Sequence, residues 1–236
     1  HWNFKENGEL HLLKALADHY ATAPAITVFD VGANVGDYAR SVVATIPRAR
    51  VHCFEIVPDT RAMLRRYLSS LPQCVVAGYG LSDTVSRLDI GSRHDCDTDA
   101  RLMSPLLDEF TRVVSCDVTT GDEYLNACDI SSIDLLKIDT EGHDMSVMEG
   151  FAGAIGAGRV SVIQFEYGTT WIPYKKFLHD AYSLLAPAGY CLGRLYPHGV
   201  DFTTYNRTRD DHFRMGNYVA VHQGHPELVA RLTCPS

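Results

Sequence analysis

Phe29-Asp30-Val31-Gly32-Ala33-Asn34-Val35-Gly36 decides the fold of this 236-residue chain. An apolar β-type run at 25–29 leads into it, and a helix-forming stretch from Asp37 leads out. Glycines let a backbone come close to a ligand, and the first N–H groups of a helix have no partner within it. The spacing is D-x-G-x-x-x-G. A dinucleotide fingerprint needs G-x-G-x-x-G, and Asn34 and Asp37 occupy its second and third glycine positions. A carboxylate at Asp30 repels a pyrophosphate and attracts an ammonium or a sulfonium. The turn is therefore expected to hold S-adenosylmethionine more readily than NAD, with Asp30, Gly32, Ala33, Asn34 and Gly36 around it.

Outward from this turn, strand-like and helix-like segments alternate. An N-terminal helix over 8–20 shows Leu10, Leu13, Ala17 and Tyr20 on one face. Strands are expected at 26–30, 51–55 and 74–80. Helices follow the first two: one over 37–46, and one opened by Pro58 with Met63, Leu64, Tyr67, Leu68 and Leu71 inward. A short strand at 113–118 precedes Thr120-Gly121-Asp122-Glu123, which fits a capping box. The near-continuous apolar runs at 133–139 and 160–167 suit central parallel strands. A helix at 174–185 and strands at 190–195 and 218–222 complete the chain. The pattern predicts a Rossmann-like, doubly wound, mostly parallel sheet with helices on both faces. It forms one domain over 1–236, with a core at 25–222 and a substrate-facing loop at 91–112.

In such sheets ligands sit beyond the carboxyl ends of the strands, and the remaining chemistry-bearing residues fall there. Glu55 ends the second strand, where an acid accepts hydrogen bonds from ribose hydroxyls. Leu81 and Ser82, before Asp83, follow the third strand and are expected beside the adenine; a plain turn explains Ser-Asp equally well. Lys137-Ile138-Asp139-Thr140-Glu141-Gly142-His143 ends the fourth, with Lys137 and Asp139 on one face. Methyl transfer to a hydroxyl needs an in-line approach and a base. His143 is the candidate base because an unperturbed imidazole titrates near neutrality. Asp139 is expected to orient the acceptor or touch the donor, and Glu141 to serve a divalent metal or sugar hydroxyls. The plain alternative makes Lys137 part of a structural ion pair and His143 a surface residue. Glu166, with Tyr167, Trp171 and Tyr174, suits either an acceptor pocket or ordinary packing.

Composition narrows the partners. A formal charge of −8 makes nucleic acid an improbable partner. No apolar run is long enough to span a membrane. Seven scattered cysteines, without C-x-x-C, predict free thiols in a reducing compartment and a cytoplasmic location. The histidines lack metal-binding spacing, and His222 and His225 read as surface residues.

The chain resembles the FkbM family of S-adenosylmethionine-dependent methyltransferases. The similar pieces are Phe29–Gly36, Phe54-Glu55, Leu81-Ser82-Asp83, Leu136-Lys137-Ile138-Asp139-Thr140-Glu141-Gly142, Val147-Met148-Glu149-Gly150 and Gly216-Asn217-Tyr218-Val219-Ala220. The resemblance implies a class I methyltransferase fold, O-methylation, and small-molecule, sugar or lipid-linked glycan acceptors. Where the family often has a second acid after E-G, this chain has His143-Asp144, which leaves the base open. The absence of N-P-P-[YF] speaks against methylation of a nucleobase amine. Two other readings remain: a nucleotide-dependent oxidoreductase, and a non-catalytic protein that binds the cofactor. The oligomeric state is not legible in the sequence.

Overall fold

The computed structural model describes residues 7–92, 101–103, 110 and 112–234. Its strands are β1 (Ile26–Val31), β2 (Ala49–Phe54), β3 (Cys74–Val76), β4 (Gly80–Leu81), β5 (Ser86–Ser92), β6 (Arg101–Leu102), β7 (Arg112–Thr119), β8 (Ile133–Ile138), β9 (Val160–Tyr167), β10 (Tyr190–Tyr196), β11 (Gly199–Phe202) and β12 (Gly216–His222). Eight of them form one sheet in the order β11-β10-β12-β9-β8-β1-β2-β3. The five from β9 to β3 run parallel; β12, β10 and β11 add antiparallel strands at the β9 edge. The chain steps from β1 outward to β2 and β3, then returns to β8 on the other side of β1. The strand order therefore reverses between β1 and β8, which opens a crevice beyond their carboxyl ends.

The helices cover both faces. On one lie α1 (Glu9–His19), α2 (Asp37–Thr45), α3 (Pro58–Tyr67) and the C-terminal α9 (Pro226–Leu232), which bury Leu12, Leu16, Val42, Leu64 and Leu228 against Val28, Val51, Leu135 and Val162. On the other lie α4 (Gly121–Ala127), α5 (Asp144–Glu149), α6 (Ala152–Gly156) and α7 (Leu178–Leu185), which bury Leu125, Met148, Ile155 and Ala181 against Phe29, Leu136, Ile138 and Ile163. A short α8 (Arg207–Asp210) follows β11. Side chains of a strand alternate between faces, so β1 and β8 send Phe29, Val31, Leu136 and Ile138 into one core and Asp30 and Lys137 toward the other.

Several expected boundaries move. The third strand stops at Val76, and Gly80–Leu81 joins a separate four-stranded sheet, β4-β7-β5-β6, built between β3 and α4. Of the expected 91–112 loop, 91–92, 101–102 and 112 belong to strands of that sheet, while 93–100, 104–109 and 111 lie outside the described residues. Of the expected Leu10/Leu13/Ala17/Tyr20 stripe of α1, Leu13 is fully buried and Ala17 and Tyr20 are partly buried against the core, and the buried arc widens to Leu12 and Leu16 because the helix packs on two neighbours, α2 and α9. Tyr67 is half exposed at the end of α3. Pro173 lies within a separate 3-10 turn, Thr169–Tyr174, and α7 starts only at Leu178. His225 is not a plain surface residue: its Nδ1 meets His19 Nε2 at 3.4 Å. The Thr120 cap forms as expected, its hydroxyl accepting from Glu123 N at 3.1 Å.

Candidate active site

The glycine turn is held by main-chain bonds from β2. Gly32 N and Ala33 N both donate to Phe54 O at 2.9 Å, and Gly36 N donates to Ala33 O at 2.8 Å. Gly32 has φ +82, and a Cβ there would lie 1.8 Å from Asp139 O. No side chain fits, so glycine is required on both conformational and steric grounds. The neighbouring bond from Asp139 N to Val31 O, 2.9 Å, ties the turn after β1 to the tip of β8.

Glu55 sits behind this turn. Its Oε2 accepts from Asn34 N at 3.0 Å and its Oε1 from Val57 N at 2.8 Å. Burial pushes its carboxyl up, opposed by those two N–H groups. A carboxylate offers about four acceptor sites, so each oxygen retains one for a further donor.

Asp30 differs from its expected setting. It is wholly buried, and Lys137 Nζ stands 3.4 Å from its Oδ1 and 3.3 Å from Asp139 Oδ2. The positive charge that Asp30 was expected to draw from a ligand is supplied from within by Lys137, its register partner across β1 and β8. Burial raises the Asp30 carboxyl and Lys137 opposes it. For Lys137, burial alone would push the ammonium down; Asp139, Asp30 and Glu9 outweigh it and hold it above the ordinary lysine range. The ion-pair alternative for Lys137 is thus the arrangement present.

Beyond β8 the backbone turns sharply, with left-handed Glu141 (φ 55) and Gly142 (φ 101). The turn brings acids together. Asp144 Oδ2 accepts from Gly142 N at 3.1 Å, and burial, then Asp139, raise its carboxyl to about 7. Burial, then Asp139, Asp144 and Glu141, raise Glu166 at the end of β9 to about 8. His143 Nε2 lies 2.9 Å from Ser82 Oγ, which in turn donates to Asp83 Oδ1 at 2.9 Å. Burial, and after it Lys176 acting against Asp83, push the imidazole down to about 4, so the near-neutral titration expected of His143 does not hold. Leu81 packs inside the core beneath this loop, and Ser82 is buried against His143. Trp171 Nε1 donates to Glu166 O at 2.9 Å, and Tyr174 OH donates to Leu102 O at 2.7 Å, tying the 3-10 turn to the smaller sheet. Sequence reasoning named Asp144 without a role. Its position, first in a helix and beside a strand-end acid pair, was the available signal.

Besides the Asp30 oxygens, which Lys137 faces, three buried side-chain atoms at this crevice have no hydrogen-bond partner among the described residues: Asn34 Oδ1, Thr140 Oγ1 and Asp144 Oδ1. All three can accept hydrogen bonds, which suits a ligand that brings ammonium and hydroxyl donors. No group of three or more His, Cys, Asp or Glu suited to a metal ion occurs among the described residues.

Residues 30–192 match the methyltransferase FkbM domain. This chain belongs to that family. It is 24% identical over 188 residues to the hexuronic acid methyltransferase AglP of Haloferax volcanii, an alignment that takes in 76% of this chain and 72% of that protein. It is 26% identical over 140 residues to the 2-O-methyltransferase NoeI of Sinorhizobium fredii, taking in 54% of this chain and 58% of the relative. Among solved structures, a candidate caffeoyl-CoA O-methyltransferase from Staphylococcus aureus superposes with a TM-score of 0.52 at 11% identity, covering 91% of this chain and 82% of that one. An rRNA methylase from Streptococcus thermophilus gives 0.50 at 8%, covering 91% and 93%. These structural likenesses establish the class I methyltransferase fold and nothing finer. As an FkbM methyltransferase the chain is an enzyme whose family and fold imply S-adenosylmethionine as methyl donor.

Proposed function

We propose that this FkbM methyltransferase carries the methyl group of S-adenosylmethionine to a hydroxyl of a sugar or another small hydroxylated acceptor. The observation that carries the reading is the group of four acids, Asp139, Glu141, Asp144 and Glu166, gathered beyond the ends of β8 and β9 closely enough to act on one another's charge. Two of them hold their protons near neutral pH, at about 7 and about 8. The ionised members of the group favour a cationic donor, and a raised carboxyl offers a proton acceptor to a hydroxyl. The hexuronic acid methyltransferase AglP and the 2-O-methyltransferase NoeI, as relatives, support sugar-type acceptors.

Bound there, the donor supplies a methyl group on positively charged sulfur. Gly32, Ala33, Asn34 and Gly36 form its cradle, and Glu55 takes the ribose hydroxyls on its remaining lone pairs. Leu81 and Ser82 close the adenine side from below. Asp30 acts through Lys137 rather than by contact. Asp139 and Glu141 orient the acceptor hydroxyl. Glu166 takes its proton, since a carboxyl at about 8 is matched to the working pH while His143 at about 4 is a weak base. His143, kept neutral and oriented by Ser82, holds the acceptor in line. The chain acts as one domain in a reducing compartment, its use of a divalent metal left to the chelation test; all six described cysteines are free, which fits the cytoplasm.

The test is transfer of isotope-labelled methyl to a panel of uronic acids, neutral sugars and phenols, with and without a chelator. Transfer to a sugar hydroxyl is expected, and its loss on chelation would assign a divalent metal to the site. Binding of a nicotinamide cofactor in place of S-adenosylhomocysteine would overturn the reading in favour of an oxidoreductase. Donor binding without transfer to any hydroxyl would leave a cofactor-binding protein.

A further inference from the structure

The N-terminal helix sends a carboxylate into the space behind the crevice. Glu9, the first residue of α1, lies outside the segment that matches the family domain, and it is 8% exposed. Burying an acid is costly unless it is bonded or paired. Glu9 has both. Its Oε1 accepts from Gln164 Nε2 at 2.7 Å, and its Oε2 accepts from Asn7 Nδ2 at 2.7 Å. Gln164 Oε1 in turn accepts from Tyr38 OH at 3.0 Å, and the Tyr38 ring lies under Lys137 Nζ, 5.0 Å from its centroid. Glu9 and Lys137 also feel each other's charge directly. The buried ammonium is thus enclosed by two acids at its tip, an aromatic face and a third acid brought by the helix.

We propose that Glu9 is a positioning residue for the methyl-donor site: by its charge, and through Gln164 and Tyr38, it fixes the Lys137 ammonium between Asp30 and Asp139, so that this positive charge is taken up before it reaches the cationic donor. The inference rests on the proposed use of S-adenosylmethionine. It explains why a helix outside the common domain spends a buried carboxylate on the middle of β9. A cation beside the crevice repels a sulfonium; the surrounding carboxylates offset that repulsion.

The charge difference between S-adenosylmethionine and S-adenosylhomocysteine supplies the test. The two share shape and hydrogen bonds but differ by the positive sulfur. Calorimetry measures both affinities for the wild type, Glu9→Gln, Glu9→Asp and Glu9→Gln in a Lys137→Gln background, with folding checked by circular dichroism. Glu9→Gln is expected to weaken S-adenosylmethionine roughly five- to tenfold, and S-adenosylhomocysteine less than about twofold by the same charge argument. Glu9→Asp, which keeps the charge, restores most of the difference. Equal weakening of both ligands, or none, would mean that Glu9 only supports the fold. An effect of full size in the Lys137→Gln background would mean that Glu9 acts on the donor directly. Either result overturns the inference, and the Glu9→Asp comparison decides it even where Lys137→Gln does not fold. If the wild type binds neither ligand, the donor assignment itself fails, a separate outcome.

Discussion

Replacing Lys137 by methionine removes a buried ammonium while keeping the length of its stem. Its partner Asp30 is 0% exposed, and without Lys137 no cation remains within ion-pair distance of its carboxylate among the described residues. Breaking a buried pair from one side costs about 3–5 kcal/mol, because the charge left behind has no compensation. Proton uptake sets a ceiling. Asp30 escapes by becoming neutral, and at pH 7 that costs about 1.4 kcal/mol for each of the roughly 3 pH units above the ordinary aspartate value, or about 4 kcal/mol. At pH 5 the same escape costs about 1.6 kcal/mol. The sign follows from linkage. In the variant the folded-state carboxyl is raised far above its unfolded value, so the native state keeps a proton that the unfolded chain releases, and stability falls as pH rises. Urea unfolding at pH 5, 6 and 7 reads this directly, and the loss at pH 7 corresponds to a Tm about 8–16 °C lower for a domain of this size. Asp30→Asn added to Lys137→Met removes most of the pH dependence. A Lys137→Met protein as stable as wild type at pH 7, or one equally destabilised at pH 5 and pH 7, would refute this account of the pair.

Glu55→Gln sets an amide N–H₂ against the N–H of either Asn34 or Val57 and removes a charged acceptor; S-adenosylhomocysteine affinity should fall about 10- to 100-fold by calorimetry. Gly32→Ala, with φ +82 and its Cβ 1.8 Å from Asp139 O, should cost about 3 kcal/mol or more, or prevent soluble expression; a wild-type melting curve would contradict the packing described. Glu166→Gln should reduce turnover about 100-fold, against a smaller loss for His143→Ala, measured as kcat with donor affinity checked separately. Because Asp144 and Glu166 are raised to about 7 and about 8, their contribution to the stability of the ligand-free protein is full below about pH 4 and is lost as pH climbs to about 8; Glu166→Gln should flatten that decline in melting temperature.

Much of the fold was legible because its signals are local. The apolar runs of β8 and β9 announce parallel strands buried on both faces, and the Thr120 cap is set by side chains within four residues. The smaller sheet was not legible. β4 has two residues and β6 two, and such short pairings are stabilised by neighbours distant in sequence rather than by their own pattern. The inward face of α1 was read only in part for a similar reason: a helix wedged between two others buries a wider arc than one lying on a single surface. At the site, chain order located Gly32, Glu55 and Asp139, since a strand end is visible in sequence. The fate of Asp30 was hidden, because pairing with Lys137 depends on β8 lying next to β1, a long-range register. The altered titration of His143, Asp144 and Glu166 was hidden too, since it arises from burial and mutual repulsion that only the packed molecule creates.

The contact between Gly32 and the carbonyl of Asp139 leaves no slack between cradle and chemistry. Two loops pressed backbone to backbone cannot clamp and unclamp against each other during a catalytic cycle. Entry of one small molecule and escape of another must then be accommodated on the opposite rim, where the Tyr174 hydroxyl of the 3-10 turn donates to the Leu102 carbonyl of the smaller sheet. Relaxation measurements on the microsecond-to-millisecond scale should therefore find the rim around Leu102 exchanging while the amides of Val31, Gly32 and Asp139 stay silent.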